Sequence, residues 1–314
     1  MGRNRKRKGD PIHGWIAIDK PTDITSTKVV SIVKRLFNAQ KAGHGGTLDP
    51  LADGILPIAL GEATKTAQWA MDCDKEYVFT IEWGTSTASQ DKEGEIIATS
   101  DVRPTRAAIT SALEAFVGEI EQIPPKYSAI KIDGERAYDL VRDGETFEIP
   151  SRLVTVYEAE LLDIADQDHA TIRVVSGKGF YIRALARDLA KAMGAEGHVS
   201  QLRRTRVGAL EESGAYSIAA LEALAEAEGD VSRALQPLQT VLDDVPQLQI
   251  EQKDADAIKQ GREILLLPHV MEHWRATYDA GSDDRLALTM LEDKAVALGE
   301  VRAGRFQPKK VFQL

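Results

Sequence analysis

The sequence predicts an α+β fold, a mixed and largely antiparallel sheet with flanking helices, followed by a small β-rich C-terminal unit. Three observations carry this reading. Stretches of strand pattern outnumber the helical ones, which come too sparsely to alternate with strands as a doubly wound parallel fold requires. Strand-like runs such as Tyr77 to Trp83 are bounded by turn-forming Gly, Pro, Asn, Asp and Ser clusters. From Leu248 onward the chain changes character, with a short helical stretch and then alternating segments at Arg285 to Leu288 and Ala295 to Val301. The expected organisation is a basic tail over residues 1–10, a main domain over 11–246 and a terminal domain over 247–314.

The elements follow in order. Gly14 to Lys20 reads as a short strand closed by Pro21. A helix follows Thr25-Ser26-Thr27, which supplies cap candidates, because Val29, Val30, Ile32, Val33 and Leu36 recur at helical spacing. Tyr77 to Trp83 alternates as a strand and Thr85 to Gly94 is a polar loop. Pro104-Thr105 opens a helix with Ala108, Ile109, Ala112, Leu113 and Phe116 on one side, ended by Gly118. Ile123 to Ile132 is expected as a strand closed by the Asp133-Gly134 turn, with a helix from Glu135 to Val141 after it and strands at Thr155 to Ile164 and Thr171 to Ser176.

Ile182, Leu185, Ala186, Leu189 and Met193 then form the apolar stripe of a helix whose neighbouring row carries Arg183, Arg187 and Lys191. Gly197 to Gly208 closes the core. Ser217 to Asp230 is acidic, alanine-rich and helical, and Gln236 to Pro246 is a connector.

Composition bounds the function. With 314 residues and 43% hydrophobic content, the chain can bury one large core and a small second one. It has no run of eighteen apolar residues, and the basic start has no apolar segment behind it, so neither a membrane span nor a signal peptide is expected and the cytoplasm is the expected location. Cys73 is alone, and the six histidines do not share zinc spacing with it. His269 and His273 are spaced for one helix face but lack a third ligand. The net charge of -10 argues against a nucleic-acid partner only until its distribution is considered. Arg3, Arg5, Lys6, Arg7 and Lys8 make a basic tail, Lys178 to Lys191 and Arg203-Arg204-Arg206 add two basic clusters, and the acid collects elsewhere. That pattern fits a directed basic face.

The most informative stretch is Gly43-His44-Gly45-Gly46-Thr47-Leu48-Asp49-Pro50-Leu51-Ala52-Asp53-Gly54, running into Ile55-Leu56-Pro57. Glycines open it to close backbone approach, while Pro50 forces Asp49 out of the helical region, so a fixed carboxylate is expected. It has neither the lysine placement of a phosphate loop nor a dinucleotide fingerprint.

This string resembles the active-site motif of the bacterial tRNA pseudouridine-55 synthases, Gly-His-x-Gly-x-Leu-Asp-Pro-Leu-Ala-x-Gly-x-Leu-Pro. Two more segments are similar to that family: Pro124-Pro125-Lys126-Tyr127-Ser128-Ala129-Ile130-Lys131, and Lys178-Gly179-Phe180-Tyr181-Ile182-Arg183. Leu202-Arg203-Arg204 with Gly208 looks like its Leu-Arg-Arg-x-x-x-Gly segment. The resemblance covers residues 12–210 well; residues 248–314 resemble, more loosely, a small PUA-type RNA-binding barrel.

The resemblance implies a pseudouridine synthase fold and isomerisation of uridine to pseudouridine at position 55 in the TΨC loop of tRNA, without cofactor or metal. It makes Asp49 the catalytic carboxylate, Arg183 its charge partner and Tyr77 the aromatic against the flipped base. His44, Tyr181 and Leu202 become pocket walls, with Asp91 and Lys20 as further substrate-binding candidates. The implied partner is the T-arm of tRNA, and the expected state is a monomer. One departure stands out: where the family often has Thr-Asp-Thr-x-Asp, this chain reads Thr87-Ala88-Ser89-Gln90-Asp91, with Ala88 replacing the first carboxylate. A glycosidase would need a second acid, for which Asp53 is the candidate. A non-catalytic RNA-binding protein would need no defined Asp49.

Overall fold

The computed structural model describes residues 9–128, 130–132, 135–142, 147–277 and 285–314. Residues 1–8 of the basic tail and the Asp133-Gly134 turn lie outside them.

A ten-stranded sheet runs through the main domain. Its principal strands lie in the order Tyr216–Ser217, Gly14–Lys20, Asp53–Leu60, Gly197–Val207, Lys75–Trp83, His169–Ser176, Arg152–Asp166 and Gly118–Gln122. Gly14–Lys20 pairs in parallel with Tyr216–Ser217, and Asp53–Leu60 pairs in parallel with Gly197–Val207; the junctions between the other principal strands are antiparallel. The mixed, largely antiparallel expectation therefore holds.

Four helices, Ser26–Leu36, Arg106–Glu114, Ile182–Ala192 and Ile218–Glu228, cover one face. Thr25, Thr105 and Ser217 each cap a helix by accepting the N–H three residues on, removing one orphan donor at each start. Gly229, at φ 64, ends the last of them in the left-handed region that a side chain would strain. Val29, Val33, Ile109, Leu113, Leu185 and Leu189 meet Phe79, Ile81 and Ile172 of the sheet in the main core.

Gly14–Lys20 and Asp53–Leu60 are apolar without alternation because both of their faces are covered. Ile16, Ile18, Leu56 and Ile58 face the helices. Trp15, Ala17, Ile55 and Ala59 face a second core, built with Val207, Leu238, Val241 and the C-terminal residues Leu288, Met290, Leu298 and Phe312.

The C-terminal region is a five-stranded PUA-like sheet in the order Gln247–Gln249, Leu286–Leu291, Lys294–Arg302, Arg305–Val311 and Ile264–Leu265. It does not hang free. Lys65 Nζ donates to Val311 O at 2.7 Å, Lys310 Nζ to Lys65 O at 2.9 Å and Gln313 N to a Glu62 carboxylate oxygen at 2.8 Å.

Two local expectations need correcting. Ile123 to Ile132 is not one strand: the ladder ends at Gln122, and only Lys131–Ile132 returns to strand, against Glu135–Arg136. Pro124 and Pro125 carry no N–H to continue a ladder, and the freed carbonyls of Ile123 and Tyr127 accept instead from Arg187 and Arg183. Gly197 to Gly208, read only as a closing segment, supplies the central strand that joins the two halves of the sheet.

No helix among the described residues is long and apolar enough to cross a membrane.

Candidate active site

The Gly46–Pro50 loop leaves the sheet rim and is held at carbonyl after carbonyl. Arg204, almost wholly buried, donates to Ile55 O at 2.7 Å, Thr47 O at 3.2 Å and Gly46 O at 3.4 Å. The Ser26 hydroxyl donates to Leu48 O at 3.0 Å and accepts Leu48 N at 2.9 Å. Pro50 O accepts Asp23 N at 2.8 Å and Lys20 Nζ at 3.2 Å. A Cβ on Gly54, whose φ is +95, would lie 2.2 Å from Arg204 O, so only glycine lets the strand entering this loop pass so close to the arginine backbone. The loop is thus fixed before any ligand arrives.

Asp49 emerges from it with a half-exposed carboxylate. Arg183 Nη2 stands 2.8 Å from Asp49 Oδ2, and its side chain is 5% exposed against 41% for Asp49. The guanidinium is held from behind: Nη1 reaches Asp91 Oδ2 at 3.3 Å and Ser89 O at 2.9 Å, and Nη2 also reaches Tyr127 O at 2.8 Å. Asp91 is in turn bonded by the Ser89 hydroxyl and by Glu93 N. Ala88 contributes only its backbone N–H, to Glu95 O, so the Arg183 cradle is complete with Asp91 as its one buried carboxylate.

Asp49 and Arg183 border a cavity of about 430 Å³ that His44, Leu48, Tyr77, Tyr181 and Leu202 also line. Tyr77 enters from Lys75–Trp83, directly opposite Arg204 of the neighbouring strand. Tyr181, just before the Ile182–Ala192 helix, is fixed through its backbone by the Gln122 amide, while Arg152 stacks over its ring at 5.0 Å. Burial, helped by the charge of Arg204, holds the His44 imidazole below its ordinary value and so neutral near pH 7; its Nδ1 is buried with no hydrogen-bond partner among the described residues. The site therefore joins one ionisable oxygen pair, a flat-ring slot and an uncharged imidazole.

Six expected residues, Asp49, Tyr77, Arg183, His44, Tyr181 and Leu202, meet at this cavity. Two do not. Asp91 lies behind Arg183 and borders a separate cavity of about 550 Å³. Lys20 is fully buried, and its ammonium is taken up by the carbonyls of Pro21, Ile24 and Pro50, so its work is to hold the loop rather than to meet a ligand.

Sequence reasoning missed Lys75, Arg152 and Arg204, all of which line the cavity. The signal for Lys75 was its place two residues before Tyr77, which puts both side chains on one face of a strand. Arg204 reads as part of a surface basic cluster until the two-sided burial of its strand is known.

Comparison with known proteins identifies the family. The profile of the TruB family pseudouridylate synthase N-terminal domain matches residues 34–182, and that of the tRNA pseudouridylate synthase B C-terminal domain matches residues 183–243. The chain belongs to the TruB family of pseudouridylate synthases. Among curated TruB-family relatives, a tRNA pseudouridine synthase B of Caulobacter vibrioides is 54% identical over 310 residues, covering 99% of each chain. One of Bradyrhizobium diazoefficiens is 46% identical over 317 residues, covering 100% of this chain and 89% of its own.

Solved structures agree on the TruB-family fold. A chain of a Cbf5-Nop10-Gar1 complex superposes with a TM-score of 0.71 at 28% identity, covering 96% of this chain and 85% of that one. A chain of the archaeal box H/ACA sRNP Nop10-Cbf5 complex does so with 0.71 at 26%, covering 99% and 93%.

Proposed function

We propose that this protein isomerises uridine to pseudouridine in tRNA, at position 55 in the TΨC loop, with Asp49 as the catalytic carboxylate and the T-arm as its partner. The observation that carries the reading is the Asp49–Arg183 pair at the mouth of a cavity whose walls include Tyr77, Tyr181 and Leu202. Family membership supports the reaction, and the matching names of the relatives support tRNA as substrate.

The reaction breaks the C1′–N1 bond, turns the uracil and makes a C1′–C5 bond. It is redox-neutral and consumes no energy carrier. What it demands of the protein is a slot for a detached ring, an oxygen nucleophile or base beside it, and exclusion of water while the ring is loose. The base must first leave its stack, at a cost of a few kcal/mol that is smaller in a loop than in a duplex. Tyr77 and Tyr181 offer rings to replace lost stacking, at about 1–3 kcal/mol per base. Whether the Asp49 oxygen attacks C1′ of the ribose or C6 of the ring, it must be aimed, and the Arg183 contact at 2.8 Å aims it.

A glycosidase would need a second carboxylate at the same ring. Asp53 is instead drawn to Arg203 at 3.1 Å, beside Asp19, and borders a different cavity. Asp91 is buried against Arg183.

The deciding experiment incubates the protein with unmodified tRNA, adding no cofactor or metal, and maps pseudouridine. Product at position 55, absent with Asp49→Asn, is expected. Release of free uracil would replace the reading with hydrolysis, and tRNA binding without either product would replace it with a binding role.

A further inference from the structure

Lys75 is a cation that a neutral uracil would not require. It is 7% exposed, it lines the Asp49 cavity, and it precedes Tyr77 by two positions on the same strand face. Its ammonium donates to Met71 O at 2.7 Å and to Cys73 O, both backbone carbonyls beside the end of the Ala67–Asp72 helix. A lysine has three N–H donors, so a third remains for the cavity. The other two buried cations of the site are committed: Arg183 to Asp49 and Asp91, and Arg204 to the carbonyls of the catalytic loop.

We propose that the Lys75 ammonium stabilises the negative charge that the uracil ring acquires during isomerisation. The inference rests on the pseudouridine synthase reading above, and it holds for either route of attack. In attack at C1′, an Asp49 oxygen bonds to C1′ as C1′–N1 breaks, and the bonding pair leaves with the ring as an anion shared by N1 and O2. C5 then returns a pair to C1′, Asp49 is released, C5 gives up its proton and N1 takes one. In attack at C6, the Asp49–C6 bond forms and the C5=C6 pair moves onto C4–O4 as an enolate. Each route places one negative charge on the ring before the new bond is made, and a preorganised buried cation acts on such developing charge.

The competing role is structural, a cation at a helix C-terminus. The two are separated by pH. Burial, reinforced by the neighbouring charge of Arg204, lowers the Lys75 ammonium to about 8, so it is mostly charged at pH 7 and loses its charge as pH rises.

The test measures single-turnover pseudouridine formation from pH 6.5 to 9.5 for wild type, Lys75→Met and Lys75→Arg, with melting and tRNA affinity for each. The expected wild-type rate falls on the alkaline side with a midpoint near 8. Lys75→Met should be at least about 100-fold slower at pH 7, with affinity within about threefold, and should lack that limb. Lys75→Arg should carry the limb to higher pH. Should Lys75→Met fail to fold, Lys75→Arg decides alone: an unmoved limb belongs to the uracil N3 proton and overturns the proposal. So does a Lys75→Met rate within threefold of wild type, or one lowered only in step with melting and affinity. Wild type that makes no pseudouridine would refute the underlying reading instead, before any variant is compared.

Discussion

Arg183 grips Asp49 at 2.8 Å with one nitrogen and Asp91 at 3.3 Å with the other, and the two carboxylates live in different surroundings, 41% and 4% exposed. The buried acid fixes the arginine, and the fixed arginine aims the exposed acid. Asp49 can therefore change partner or charge while Asp91 and the carbonyls of Ser89 and Tyr127 keep the cradle in place.

Asp49→Asn should accordingly abolish turnover while leaving fold and affinity nearly intact. The amide keeps the shape but removes the charged oxygen, and a half-exposed ion pair contributes at most about 1 kcal/mol to stability. The measurements are pseudouridine mapping, tRNA affinity within about threefold of wild type, and melting. Turnover near wild type would end the proposed role.

Arg183→Met should behave differently, because it strands Asp91 as a buried charge without its partner. Removing one member of a buried pair costs about 3–5 kcal/mol. Chemical denaturation should show a loss of that size, and adding Asp91→Asn should recover part of it, a coupling that a double-mutant cycle reads directly. If the two substitutions simply add, the buried pair is not what holds Arg183.

His44 and Asp49 of this site were legible because they sit in one contiguous string, Gly43 to Pro57, in which a position such as Gly54 admits only glycine. Gly54 shows why: its positive φ and the nearby Arg204 backbone leave no room for a Cβ. Helix positions were legible too, since Thr25, Thr105 and Ser217 cap where sequence periodicity begins.

What was not legible depended on long-range burial. Lys75 and Arg204 look like surface cations in sequence and Lys20, by resemblance, like a substrate contact, yet all three are buried and donate to backbone carbonyls. The central strand Gly197–Val207 was hidden for the same reason, its four charged or histidine positions masking the period of two. The packing of the terminal sheet was hidden too: Phe312 and Leu288 share a core with Trp15 and Ile55, so removing residues 247–314 should uncover that core and impair folding.

The attachment of that sheet should depend on pH through Glu62. Burial pushes its carboxyl up, but the hydrogen bond from Lys65 and the N–H of Gln313 outweigh this and hold it below the ordinary value of 4.5. A depressed carboxylate contributes stability above its unfolded value, and loses that contribution as pH falls through the folded one. Glu62→Gln should thus be destabilised at pH 7 by about 1 kcal/mol, the usual worth of such a hydrogen bond. The deficit should shrink as the pH of the melts is taken below 4.5. A deficit independent of pH would assign the effect to packing.

Tyr77 offers two roles that substitution separates. Its ring belongs to the main core and also borders the Asp49 cavity, so both packing and stacking use the ring alone. Proton removal from C5, or from C2′ of the ribose, would use the phenol oxygen. Tyr77→Phe keeps the ring and deletes the oxygen, while Tyr77→Leu loses both. Stacking is worth about 1–3 kcal/mol per base, so Leu should weaken tRNA binding and Phe should not. If the oxygen moves a proton, Phe should form product at least about 100-fold more slowly in a single turnover, as for a lost acid-base group. Near wild-type chemistry in Phe, with a slow Leu variant, would make Tyr77 a platform only. The base would then be sought at Asp49, which is free to accept a proton once it leaves the sugar or the ring.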